Sequence, residues 1–532
     1  MKRRFSSYGP INIKTEYYAP RSALIESVTR QLLGASEADE GGHYITIWAP
    51  RQTGKTWTML ETVKAIRASN NEANACFMSM ESAKSETSAQ VILEIFSREM
   101  RRALNDSVPT ISEWKDFPAL FSHECLDKPL ILIIDKFDAI GEEFIGKFAS
   151  EFRNLYLSRK NEASLSHEKT YLLHGLALIG VRSVLGIENA TGSPFNVQRS
   201  VRIPNLTFEE VAGMFDWYQR DSGQRIEPEV VARLFAETNG QPGLVGWLGE
   251  LLTETYNCTP DAPITMREFE GMYAAAVNLL PNNTILNMLS KAKQPPYRDF
   301  ALRLFDTEKK MSFAYDSPEM NYLYVNGVID YDTVDQIQQY ARFSCPFVQK
   351  RLFNYFAKEV FHDIGRMLDP FDDLSDIFTG DALCLPPLLA RYQAYLRQNS
   401  RWLFQNAPRR ADLRIYEAVY HFNLYLYLHQ FLRGKGAEVW PEFPTGNVKI
   451  DILIAYRGHM YGLELKTFAD VAEYRNALAQ AAQYGKQLRL AEITLLFFIE
   501  SISAKHRETY ERPLLDEQTG VTVTPVFIET GV

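Results

Sequence analysis

The sequence predicts a multidomain α/β protein, and three features carry that prediction. The chain has 532 residues, too many for one core at about 100–200 residues per domain. An apolar run, Tyr44–Trp48, leads into the loop Ala49-Pro-Arg-Gln-Thr-Gly-Lys-Thr56, after which Met59, Leu60, Val63 and Ile66 recur at helical spacing. Far downstream, the alternating runs Val448–Tyr456 and His459–Thr467 flank Arg457-Gly458, the pattern of a hairpin with a two-residue turn.

Composition narrows the class. At 46% apolar and 23% charged residues the chain is neither disordered nor collagen-like. A formal charge of -9 argues against a surface coated for non-specific nucleic-acid binding, though not against a local basic groove. Residues 401–532 carry equal numbers of basic and acidic side chains, so the acidic excess lies in the first 400 residues. Arg409, Arg410, Arg414, Lys449, Arg475 and Lys486 remain to form such a groove. The five cysteines never form a CxxC pair, which speaks against a disulfide framework or thiolate zinc site and for a reducing compartment. Apolar runs such as Leu130–Ile134 fall far short of the ~20 residues needed to span a bilayer. The expectation is a cytoplasmic protein without a membrane partner.

The loop after Tyr44–Trp48 has the order strand, loop, helix that a P-loop requires. Backbone N–H groups around Gln52, Thr53 and Gly54 would wrap phosphates, Lys55 would neutralise their oxygens, and the Thr56 hydroxyl would hold Mg²⁺. Ala49 stands where the pattern begins with glycine. Leu130–Ile134 reads as a buried parallel strand delivering Asp135 to the same Mg²⁺. The next residue is Lys136, whose ammonium cannot accept a proton at neutral pH, where related sites usually carry a glutamate. Three readings stay open: slow hydrolysis as a switch, another base such as Asp138 or one in Gly141-Glu-Glu143, or a variant altered to trap the ATP state.

These motifs resemble the AAA-like and STAND-type P-loop ATPases, a branch including origin-recognition ATPases, over roughly residues 10–280. The resemblance implies that Tyr17–Arg21 lies near the adenine, with Arg21 contacting nucleotide. Leu176–Gly180 and Arg182 would form a γ-phosphate sensor. Ser193–Asn196 and Thr207–Glu210 would return the chain into a helical lid, the latter also being a capping box. Gly240-Gln-Pro242-Gly243 would touch the base or simply break a helix. Arg199 and Arg202 read as a trans-acting finger or as solvent-facing strand residues. ATP and Mg²⁺ are the implied cofactors, and a homo-oligomer or a partner protein the implied assembly.

Behind Pro281, short helices around 284–291, 298–305 and 319–326 precede two short strands, an order resembling a winged helix. The segment 317–326 carries no Lys or Arg, so packing is favoured over DNA reading. Asp363–Asp376 reads as an acidic linker. The expected boundaries are 1–204 for the ATPase core, 205–280 for the lid, 281–356 for the winged-helix-like part, 357–400 for a helical, acidic linker and 401–532 for a C-terminal α/β domain.

In that last domain, Arg414–Leu432 reads as a helix with Glu417 in its first turn. A two-residue turn at 457/458 places Asp451 directly across from Glu464, with Lys466 on the same face. Facing carboxylates repel unless compensated, and Mg²⁺ held by Asp451, Glu464 and the Leu465 carbonyl is the natural compensation. Lys466 would position water or offset charge on phosphate, and Glu417 would complete or support the shell. The set Asp451, Glu464-Leu-Lys466, with Gln480 and Tyr484 four apart on a following helix, resembles the PD-(D/E)xK nucleases and the QxxxY motif of their recombination-associated branch. The resemblance implies a restriction-endonuclease-like fold and Mg²⁺-dependent cleavage of nucleic acid, DNA in preference to RNA. By analogy with similar fusions it also implies a prokaryotic defence or mobile-element setting. The alternative is an ATP-dependent switch or scaffold whose nuclease-like domain binds without cutting.

Overall fold

The computed structural model describes residues 3–34, 42–104, 108–180, 198–305, 311–334, 338–365, 367, 373–410, 414–444, 449–468 and 470–531. They divide into two compact units, one of residues 1–276 with 314–327, the other of 277–313 with 328–532.

In the first unit, β1 (Tyr44–Trp48), β2 (Asn74–Ser79), β3 (Leu130–Asp135), β4 (Leu173–Ile179) and β5 (Gln198–Arg202) form one parallel sheet in the order β2-β3-β4-β1-β5. Helices α1 (Ser22–Leu33), α2 (Lys55–Ser69), α3 (Ala89–Leu104) and α4 (Glu142–Asn161) accompany it. Strand β3 shows why its sequence is apolar throughout. Leu130, Leu132 and Ile134 enter one core with Phe96, Phe148 and Phe152, while Ile131 and Ile133 enter another with Met59, Val63 and Ile66. A parallel strand covered on both faces needs apolar residues at every position.

Beyond the sheet lie α5 (Phe208–Ser222), α6 (Pro228–Thr238), α7 (Pro242–Glu250), α8 (Met266–Asn278) and, after the second unit's α9 (Asn283–Ala292) and α10 (Tyr297–Arg303), α11 (Pro318–Val325). The expected capping box is present: the Thr207 side chain accepts from Glu210 N–H and the Glu210 side chain accepts from Thr207 N–H. The winged-helix-like stretch is divided, since α11 groups with the first unit and its flanking residues with the second.

In the second unit, β6 (Ile329–Val334) and β7 (Gln338–Phe343) form a hairpin, followed by α12 (Pro346–Val360) and the small β8 (Phe378–Thr379) and β9 (Ala382–Leu383) pair. Helix α13 (Leu385–Leu403) falls within the expected linker but is built into the fold. Leu388, Leu389, Tyr392, Tyr395 and Leu396 are buried, and Tyr392 Oη donates to Asn423 Oδ1 at 2.9 Å. Next come α14 (Glu417–Leu432), β10 (Ala437–Pro444), β11 (Lys449–Tyr456), β12 (His459–Thr467), α15 (Val471–Gln487), β13 (Glu492–Ile499), α16 (Ala504–Tyr510), β14 (Leu514–Asp516) and β15 (Val521–Glu529). The six strands run in the order β10-β11-β12-β13-β15-β14. The β10–β11–β12 ladders are antiparallel, β12–β13–β15 parallel and β15–β14 antiparallel. Among the described residues no helix is long and apolar enough to cross a membrane.

Three glycines three residues apart let α7 approach its neighbours closely. A β-carbon on Gly243 would lie 2.7 Å from Gln52 Cβ, one on Gly246 2.2 Å from the Ser6 carbonyl oxygen, and one on Gly249 2.6 Å from the Phe5 ring. Gly213, within α5, has nothing within 4 Å of that position. Gly246→Ala is therefore expected to destabilise the first unit by about 1–3 kcal/mol. Gly213→Ala is expected to be neutral or to stabilise by up to about 1 kcal/mol through helix propensity. Denaturant unfolding of the two variants beside the parent checks this, and equal effects would refute the packing argument.

Candidate functional site

Two clusters of the expected residues form, one in each unit. In the first, Gln52 and Gly54 take left-handed φ values of 56° and 84°, turning the loop so that α2 starts at Lys55. Glycine at 54 supplies such an angle without a steric cost. Lys55 Nζ donates to the Ala49 and Pro50 carbonyls at 2.6 and 2.7 Å, and Thr53 Oγ1 donates to Pro50 O at 2.9 Å. Thr56 Oγ1 donates to Asp135 Oδ2 at 2.7 Å, which joins the helix start to the end of β3. The free N–H groups of a first helical turn favour anions, so phosphate, ammonium and a hydroxyl–carboxylate pair for a hard cation have their parts in one place.

The segment that opens α7 docks on the backbone of this loop. Gly243 N–H donates to the Gln52 carbonyl at 3.0 Å, and Gln241 Nε2 donates to the Arg51 and Gln52 carbonyls at 3.1 and 3.3 Å. Pro242 opens α7 at this point, so the segment both breaks a helix and docks on the loop. Arg21, itself at φ 53°, donates to the Thr53, Pro204 and Asn205 carbonyls and lies 3.8 Å from Glu210. Burial lowers its pKa, partly offset by Glu210. Arg21 thus acts as a rivet between loop and lid. Tyr18 packs between Trp57 and Trp217, its ring 5.5 Å from each. Arg182 and Ser193–Asn196 lie outside the described residues. Arg199 is exposed, whereas Arg202 is half-buried and lies over Trp48 and Tyr324.

In the second unit the hairpin has the expected register. Tyr456 pairs with His459 and the ladder continues to Ile452 with Leu463, turning on left-handed Arg457 and Gly458 as a type I′ turn requires. It then stops one step short of the expected Asp451–Glu464 pair. Instead of standing across from Glu464 in the ladder, Asp451 turns its carboxylate into the sheet plane, and Oδ2 accepts the Leu465 N–H at 2.7 Å. A carboxylate replaces a strand's carbonyl as acceptor. Because N–H and C=O of one strand residue project to the same side, the Leu465 carbonyl faces this fork too.

Glu464 and Lys466 pair in register with Leu495 and Phe497, residues of the core capped by Ala477, Ala481 and Tyr484 of α15. Glu464, Lys466, Asp451 and Glu417 are 0–3% exposed. Lys466 Nζ lies 3.1 Å from Glu464 Oε1 and 4.0 Å from Glu417 Oε1. Both Glu464 oxygens are nevertheless buried without a hydrogen bond of good geometry. Burial and the neighbouring Asp451 charge push Glu464 up to about 8, against the opposing pull of Lys466 and the Asp451 backbone. Tyr484 is also pushed up, by burial and then by Glu464, and its hydroxyl accepts from Gln480 Nε2.

Helix α14 starts at Glu417 rather than at the expected Arg414. Glu417 Oε2 accepts the Thr467 N–H at 2.8 Å, so this side chain caps a strand end. One turn later, His421 contacts the Asp451 carbonyl oxygen through Nε2 at 2.8 Å. That nitrogen must carry the proton, because a carbonyl can only accept. The sequence reading missed His421, although its i, i+4 spacing from Glu417 was the available signal. His459 is exposed at the hairpin tip. No three His, Cys, Asp or Glu side chains form a metal cage among the described residues. The fork offers two carboxylates and a carbonyl, with Glu417 already engaged by Thr467.

Residues 6–257 match the family model of an AAA-like domain, so that part of the chain carries an AAA-like P-loop domain. No curated protein matches the chain. Similar solved structures include the ORC2 protein of Aeropyrum pernix in ADPNP–ADP complexes, at 12% identity and TM-score 0.39 over 64% of this chain and 96% of that one. A Walker-type ATPase of Pyrococcus abyssi is similar at 12% identity and TM-score 0.41 over 65% and 98%. The RuvB Holliday junction branch migration motor of Thermotoga maritima is similar at 13% and 0.32 over 60% and 92%. None of these TM-scores reaches 0.5, so they fix nothing about substrate or partners.

Because folding raises the Glu464 pKa from 4.5 to about 8, the folded state binds the extra proton. That stabilisation is full below about pH 4.5 and is lost as pH rises through about 8. Relative to Glu464→Gln, the metal-free parent should lose thermal stability between pH 5 and 8.5. Parallel melting curves for both proteins would argue against a buried, proton-holding Glu464.

Proposed function

We propose that the chain is an ATP-regulated, Mg²⁺-dependent nuclease, in which the nucleotide state of the AAA-like domain governs phosphodiester cleavage by the C-terminal cluster. The observation that carries this reading is Glu464, whose two buried oxygens make no hydrogen bond of good geometry although Lys466 Nζ lies 3.1 Å away. With Asp451, Glu464 and Glu417 all ionised, the one ammonium of Lys466 would leave two buried negative charges. Such groups are paired, neutralised or bound to metal. Hard oxygen donors suit Mg²⁺, and a divalent cation would balance the charge.

Asp451, Glu464 and the Leu465 carbonyl would hold the ion. When bound, it supplies an acidified water and charge neutralisation at phosphate. Lys466, already 3.1 Å from Glu464, would orient that water and offset charge on the phosphate. His421 and Glu417 would hold Asp451 and the end of β12 in place, and Tyr484 with Gln480 would close the α15 side. In the first unit Lys55 and Thr56 would bind ATP phosphates and their Mg²⁺, with Asp135 behind Thr56. The PD-(D/E)xK resemblance and the Gln480/Tyr484 pair favour DNA as substrate. Similar fusions favour a role in prokaryotic defence in the cytoplasm, as a homo-oligomer or with a protein partner.

The full chain should cut single- or double-stranded DNA or RNA in Mg²⁺ plus ATP. EDTA should abolish cutting, and Lys466→Ala should slow it at least about 100-fold. Lys55→Ala should remove the ATP dependence. If parent and Lys466→Ala leave every substrate equally intact, the nuclease reading fails.

A further inference from the structure

We propose that Asp138 accepts the proton of the water that attacks ATP, taking the role for which Lys136 is unsuited. This rests on the nucleotide-hydrolysing reading of the first unit. Thr56 on α2, bonded to Asp135 at the end of β3, brackets the position of the terminal phosphate and its cation. Between β1, which leads into the loop, and β3 lies β4 in the sheet, so the end of β4 floors that space. A proton acceptor must therefore sit on the β4 side of β3.

The chain after Asp135 sorts its two charged residues to opposite sides. Lys136 takes a left-handed φ of 55°, uncommon for a residue with a side chain. Its ammonium points toward β2, 3.7 Å from Glu81 Oε2 beyond the end of that strand. A short 3₁₀ turn, Phe137–Ala139, follows. Phe137 enters the core, and Asp138 turns back over β4. Its carboxylate occupies the place of a side chain at Gly180, the residue after β4. A β-carbon there would lie 2.4 Å from Asp138 Oδ1 and 3.1 Å from Oδ2. Gly180, at φ 91°, thus makes the room, and its N–H ties the spot to β1 through the Ile47 carbonyl at 3.1 Å. Asp138 is exposed, so water and nucleotide can reach it. Glu81 is a carboxylate too, but it lies on the β2 side, beyond Lys136.

The step balances without a further reagent. The water oxygen forms a bond to the γ-phosphorus. The bond from that phosphorus to the β,γ-bridging oxygen breaks, and ADP leaves with the electron pair. The water proton passes to an Asp138 oxygen and from there to phosphate or solvent.

The test measures phosphate release and binding of a fluorescent ATP analogue by the full chain with Mg²⁺, for the parent, Asp138→Asn, Asp138→Glu, Glu81→Gln and Lys136→Ala. The expectation is that Asp138→Asn lowers kcat about 10²–10⁴-fold with nucleotide affinity within about threefold. It should also abolish the acid limb of the kcat–pH profile, whereas Asp138→Glu regains part of the rate. Glu81→Gln and Lys136→Ala should stay within about threefold of the parent. An Asp138→Asn enzyme at parental rate, a loss confined to Glu81→Gln, or a parent that binds ATP without hydrolysing it each overturns the assignment. A parent that binds no nucleotide overturns the nucleotide reading along with it.

Discussion

Taking a carboxylate out of water costs several kcal/mol unless something inside the protein replaces its hydration. The second unit does this at the end of one hairpin, with three carboxylates and one ammonium all but inaccessible. Much of the local architecture follows from managing that cost. Asp451 leaves the ladder to accept the Leu465 N–H, Glu417 accepts the Thr467 N–H, and Lys466 stands beside Glu464. The first two contacts each satisfy a carboxylate with a backbone donor that a regular ladder would have spent elsewhere. Glu464 alone is left without good hydrogen bonds, and in the absence of a cation its raised pKa is the fold's remaining remedy.

The first unit meets the opposite demand. Its loop must present donors to an anion, so donors rather than acceptors are left at the start of α2. The loop's own carbonyls are the groups that need partners, and the surrounding elements supply them: Lys55 for Ala49 and Pro50, Arg21 for Thr53, Gly243 and Gln241 for Gln52. Hydrogen bonds thus join the loop to α7 and, through Arg21 and Glu210, to α5.

What the sequence made legible was periodic or covalently local. The double burial of β3, the Thr207–Glu210 box and the hairpin register all depend on spacing alone, and spacing survives folding. The end of the ladder did not follow from spacing. Pairing continues only while backbone partners win, and at Asp451 a side-chain acceptor wins instead. The exact start of α14 was hidden for a similar reason, since Glu417 is fixed by Thr467, fifty residues later. A residue pair such as Asp138 with Gly180 joins elements distant in sequence, and no local pattern announces it. Helix α13 lies largely within the segment expected as a helical, acidic linker, and its burial against residues such as Asn423 depends on contacts that spacing does not specify.

The charge balance of the second unit bears on the order of events there. With all groups ionised, the fork carries two uncompensated negative charges and repels a phosphodiester. With Glu464 protonated it carries one, and still repels. A divalent cation would cancel that charge close to Lys466, where interactions among groups removed from solvent are poorly screened. On the proposed nuclease reading, cation binding would precede productive approach of a polyanion and would displace the Glu464 proton. That reading would link proton release, cation uptake and substrate affinity at one carboxylate. The acidic excess of the first 400 residues would add to this by discouraging polyanion contact elsewhere.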